Sequence, residues 1–170
     1  MRRIVMTVMY VVLVSCTLQG EAAAAVAHGP KVTDARYSIG FYLPLSWKHP
    51  VVTTSTSTTT KLLVQNDVKS IVEGVVQVQV LSGRHTNVSA IANGLLASTP
   101  GAKVVGSGIV SFSFGKAEQL EFTIRSGTAL VYGTAEAFFQ HHVSYIVAFD
   151  ATAPSINRVT RASVMNSWGV

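Results

Sequence analysis

The sequence predicts an α+β domain, an antiparallel β-sheet meander flanked by two or more helices. Three observations carry this. Apolar and polar residues alternate through Val110–Phe114, Leu120–Ile124 and Tyr145–Phe149, which is the period of strands. Val88, Ile91, Ala92, Leu95 and Leu96 fall at i, i+3, i+4, i+7 and i+8, which is the apolar stripe of a helix. Pro154 stands where a second helix would begin, because proline suits the first helical turn. Strands, helix, strands, helix is the order of a sheet covered by helices.

The chain of 170 residues is sized for one domain. It is 48% hydrophobic and 12% charged, which excludes a disordered, solvating protein. The formal net charge is +5. Arg2 and Arg3 belong to what reads as a leader; from Cys16 onward eleven cations face eight anions. That is no nucleic-acid footprint. A lone cysteine excludes an internal disulfide framework and a cysteine-based zinc site.

The leader has the parts of an export signal over residues 1–27. Met1-Arg2-Arg3 is the positive start, and Ile4–Val14 is an apolar run of 11 residues. A membrane span needs about 20 residues, so the run reads as a signal peptide and not as an anchor. Leu13-Val14-Ser15-Cys16 resembles a bacterial lipobox, in which the cysteine is acylated and becomes the first mature residue. Two or more acyl chains hold a protein stably at a membrane. The alternative is cleavage after Ala25-Val26-Ala27, with free secretion. Residues 28–36 read as a linker and 37–170 as the domain.

Within the domain, Tyr37, Ile39 and Phe41 alternate as a strand that Pro44 ends. The turn that follows carries Trp47. Residues 53–60 are all serine or threonine and read as a loop. Lys61–Val64 and Val75–Leu81 are strands, the latter with Val76, Val78 and Val80 on one face and Gln77 and Gln79 on the other. Thr86 or Asn87 caps the first helix, and Thr99-Pro100-Gly101 ends it. Gly94 inside that helix implies close packing. Gly115-Lys116-Ala117 and Ser126-Gly127 turn the chain between strands, and Ala129–Phe139 is a long strand. In the closing helix Ile156, Val159 and Val164 are the expected inner contacts, with Trp168 at its end.

Phe41, Pro44 and Trp47, a helix ahead of a meander, and the ending Met165-Asn166-Ser167-Trp168-Gly169-Val170 together resemble the PsbP-like superfamily. That superfamily includes photosystem II extrinsic subunits, Mog-type proteins, DcrB-type envelope proteins and LpqN-type lipoproteins. Trp168 takes the position of a usual phenylalanine. The resemblance covers residues 37–170. It implies an α/β/α sandwich, often on an exported lipoprotein, and implies no enzyme and no cofactor.

The residues themselves offer little chemistry. His141 and His142 would point to opposite faces of a strand and have no carboxylate or thiol at ligand spacing, so a polar edge or turn is expected there and no metal. No Gly-x-Ser-x-Gly elbow occurs. Glu118 and Glu121 straddle a turn and Glu136 reads as outward-facing, so a glycosidase-type acid/base pair is not expected. Trp47 either lines a cleft at a sheet edge or anchors a loop. Phe138 and Phe139 are adjacent, so one of them points away from the main core; Trp47 and Phe138 are the candidates for a ligand or partner surface. The functional expectation is a non-catalytic, exported or envelope-anchored lipoprotein domain acting as a protein-interaction or assembly module. Its partner would be an envelope protein or a small hydrophobic ligand, and its membrane contact the lipid on Cys16. The alternatives are a secreted carrier of a small hydrophobic ligand or a weak hydrolase.

Overall fold

The computed structural model describes residues 28–54, 60–68, 71–84 and 88–169. The leader with Cys16, most of the Ser/Thr run, and Thr86 and Asn87 lie outside them. In chain order the elements are β1 (Lys31–Asp34), β2 (Ile39–Tyr42), β3 (Val51–Thr54), β4 (Thr60–Val68), β5 (Ile71–Ser82), α1 (Val88–Ala97), β6 (Ala102–Phe112), β7 (Gly115–Ser126), β8 (Ala129–Gln140), β9 (Val143–Ala151) and α2 (Pro154–Asn166). The long alternating segments pair into one antiparallel sheet of seven strands, ordered β3-β4-β5-β9-β8-β7-β6. β9 therefore lies between β5 and β8. The chain from β5 crosses by α1 to the far edge and returns strand by strand.

Turn chemistry fixes this meander. His141 and His142 both have positive φ, 50° and 63°, and join β8 to β9 as a two-residue hairpin turn. Such a turn matches the right-handed twist of the strands beside it. The histidine pair is therefore this turn. The threonines at both ends of the Ser/Thr run belong to strands, Thr53 and Thr54 to β3 and Thr60 to β4.

Side-chain alternation splits the sheet into two faces. On one, Val76, Val78, Phe138, Tyr145, Val147 and Phe149 meet Val164, Met165 and Trp168 at the C-terminal end of α2. The β1–β2 ribbon joins the same core through Val32, Ile39 and Phe41. Strand β1 falls inside the stretch read as a linker; its pairing with β2 makes it part of the domain. Residues 35–37 form a short 3-10 turn rather than strand, capped by Asp34, whose carboxylate accepts from the Arg36 backbone N–H at 3.1 Å.

Hydroxyls and an amide fasten α2 to what it covers. The Asn157 amide nitrogen donates to the carbonyls of Tyr132 (3.1 Å) and Phe149 (2.6 Å), and its oxygen accepts from the Thr134 hydroxyl (2.8 Å). Ser163 donates to the Tyr42 carbonyl and Ser167 accepts from the Tyr42 N–H, at 3.0 and 2.8 Å. The inner stripe of α2 is thus Asn157, Thr160, Val164 and Met165. Val159, expected inside, is 57% exposed. It precedes Val164 by five residues, about 140° around a helix, so both cannot face the sheet. Gly94 has open space around its Cα and marks no close approach in α1.

Trp47 is 1% exposed and Phe138 is 4% exposed, so the bulk of both side chains belongs to the core. Trp47 anchors its loop under α2, near enough to Gly74 that a Cβ there would lie 2.8 Å from the indole. Phe138 stacks with Tyr145 and meets Trp168 edge-on, at 5.4 and 5.2 Å between centroids. Its neighbour Phe139 is the outward one, 40% exposed with the Arg84 guanidinium 5.2 Å from its ring centre. Truncating a buried aromatic costs about 3–5 kcal/mol. We expect Trp47→Ala to lose that much in urea unfolding and Phe139→Ala to lose under about 1 kcal/mol. Equal losses would contradict these placements.

Candidate functional site

The sheet carries a buried carboxylate on one face, Glu136, and a half-buried one on the other, Asp150. Glu136 of β8 lies on the α2 face and is fully buried, although its sequence context reads as outward. The reason is register: Thr134, Glu136 and Phe138 share one face, and α2 lies over it. Arg161 of α2 donates to Glu136 Oε1. Burial pushes the carboxyl up to about 7, against the pull of that guanidinium. A cavity of about 220 Å³ opens beside Arg161, lined also by Gln119, Glu121 and Arg158. Glu136 does not line it. The carboxyl is buried behind Arg161, where it holds a helix to a sheet.

The opposite face is covered by α1. Ala92 and Leu96 pack on Leu120, Phe122, Ala135, Ala137 and Ile146. The helix has 10 residues and is therefore about 15 Å long, while seven strands spread about 29 Å. α1 sits over β6 to β9 and leaves a groove of about 350 Å³ along its border. Ala92, Leu96, Phe122, Ile146 and Ala148 give it apolar walls; Gln77 and Gln79 of β5 stand at its side. Asp150 of β9 closes one end.

Asp150 pairs across the sheet with Val75 on β5 and Gly133 on β8. Gly133 is glycine for a packing reason, because a Cβ there would fall inside the Phe122 ring. The ring thus stands next to Asp150. Asp150 Oδ1 is shut off from solvent and has no hydrogen-bond partner among the described residues. Burial alone pushes its carboxyl up to about 6.

The residues singled out in the sequence scatter. Trp47 and Phe138 lie on the α2 face, Trp47 also bordering a groove of about 320 Å³ with Ile156 and Val159. His141 and His142 lie at the β8–β9 turn. Glu118 and Glu121 sit three apart on β7 and face opposite sides. Cys16 lies outside the described residues. Sequence reasoning missed Asp150 and the inward setting of Glu136. The signal for Asp150 was present in Ala148 and Ile146, whose face it shares.

No protein-family model matches the sequence, and no curated protein matches it. Among solved structures the chain is similar to the cyanobacterial PsbP protein (CyanoP) of Synechocystis sp. PCC 6803. The TM-score is 0.56 at 12% identity, over 86% of this chain and 96% of that one. It is also similar to a protein of Bacteroides thetaiotaomicron, with a TM-score of 0.52 at 10% identity, over 84% of this chain and 48% of that one. The molecule is an α+β domain, and its fold is PsbP-like.

The raised carboxyls make a pH prediction. Each binds its proton more tightly folded than unfolded, so it contributes stability below its ordinary value and loses it as pH rises through its folded value. For Asp150 that window runs from 3.8 to about 6. Asp150→Asn should raise the unfolding free energy read from urea titration at neutral pH by roughly 1–3 kcal/mol, and flatten its fall between these values. An unchanged slope would show that Asp150 finds a compensating partner.

Proposed function

We propose that this protein is an exported, non-catalytic binding domain, held at the cell envelope by lipid on Cys16, which docks a partner protein along strand β6. The observation that carries the docking surface is the character of that strand. β6 is an edge strand of 11 residues, bonded in the sheet only to β7. While Val110 and Phe112 pack on the core, three of its apolar side chains face out: Ile109 at 72%, Val105 at 59% and Val104 at 42% exposure. Exposed edges are normally blunted by charge, proline or short length. β6 carries one charge, Lys103, no proline, and a single register shift between Val104 and Gly106. An extended segment of a partner can add to such an edge through main-chain hydrogen bonds, with alternate side chains supplying specificity. The leader and its lipobox supply the anchor in this reading. A second reading, a carrier of a small hydrophobic ligand, is favoured by the groove beside α1, whose size is at the lower end for ligand sites.

A photo-crosslinking residue at Ile109 in the full chain, expressed in native cells, tests the first reading beside Cys16→Ala. One discrete protein adduct in the membrane fraction is expected. Cys16→Ala should shift the protein to the soluble fraction and weaken the adduct. Diffuse adducts, or the same adduct from a probe at exposed Val159 on the far side, would remove β6 as the docking edge. A membrane fraction unchanged by Cys16→Ala would remove the lipid anchor.

A further inference from the structure

We infer that the groove between α1 and the sheet binds a small molecule with an apolar body and a cationic amine head, the amine seated on Asp150. This rests on the reading of that groove as a ligand site and names the class of ligand. Phe122, Ile146 and Leu96 offer a surface for an apolar body. Asp150 is the one ionisable side chain among the described residues that line the groove. No lysine or arginine among them balances it. A buried carboxylate oxygen without a hydrogen-bond partner is costly, and each such group calls for an explanation. A ligand ammonium in the groove supplies the missing counter-charge to Asp150.

The surroundings suit a cation further. Gln77 lines the groove and donates one amide N–H to the Thr60 hydroxyl at 3.1 Å. Phe122 lines the same groove as Asp150, and aromatic faces attract cations. A carboxylate ligand would meet like charge in a poorly solvated place, and an alcohol would supply a donor but no charge.

Three probes with one body separate these cases: 2-phenylethylamine, 2-phenylethanol and 3-phenylpropanoate, titrated calorimetrically into the full chain at about pH 7.5, where Asp150 is ionised. The amine should bind at least about tenfold more tightly than the alcohol, and the acid not at all. Asp150→Asn should abolish the preference and leave the alcohol unchanged. Ala148→Leu, which narrows the groove, should weaken amine and alcohol alike. If that variant does not fold, amide shifts at Ala92, Ala135 and Ile146 on adding the amine to the unsubstituted chain decide the same point. Equal binding of amine and alcohol, or amine binding indifferent to Asp150→Asn, would overturn the ligand class and leave the groove as a ligand site. No binding by any probe, or binding that ignores Ala148→Leu, would overturn both.

Discussion

A sheet that is apolar on both faces has to be covered twice, and this chain has unequal means of doing so. α2, the β1–β2 ribbon and the loop of Trp47 share one face. The other has a helix of 10 residues over a sheet of seven strands. The core, the groove and the exposed edge follow from that imbalance. On the α2 face every large aromatic finds partners: Trp168 lies within 6 Å of Phe41, Phe138 and Tyr145 between ring centres. On the α1 face Phe122 is the one aromatic among alanines, leucines and isoleucines of the described cluster, and a cavity of ligand size remains beside the helix.

Glu136 and Asp150 show the same division. Glu136 Oε1 is answered by Arg161 while Oε2 has no hydrogen-bond partner among the described residues, and the pair ties α2 to β8 inside the core. A buried pair of this kind is weak as a source of stability, because desolvation offsets the attraction. Its use here is positional: together with Asn157 it sets which face of α2 meets the sheet. Asp150 has no such answer on its own face. It lies at the end of a groove and not in a sealed core.

Much of the architecture was legible in the sequence. The period-2 alternation of Leu120, Phe122 and Ile124, or of Tyr145, Val147 and Phe149, leaves no other local structure, and the α1 stripe is equally plain. The polar fasteners were not legible. Polarity alone cannot reveal that Asn157 reaches two strand carbonyls. Val159 was correspondingly placed inside. Glu136 read as outward because a charged side chain is rarely buried without a partner, and its partner lies 25 residues away. Strand β1 was hidden in a short stretch whose pairing with β2 is non-periodic in composition. The groove depends on how far α1 reaches across the sheet, which no local pattern encodes.

Native-state amide hydrogen exchange tests the inequality of the two faces most directly. The central strands β5, β8 and β9 and the helix α2 should exchange only through global unfolding. α1 should exchange by local opening, at a free energy at least about 2 kcal/mol below the global value. Protection in α1 equal to that of α2 would contradict the account, because it would mean that both faces are closed by packing of the same strength.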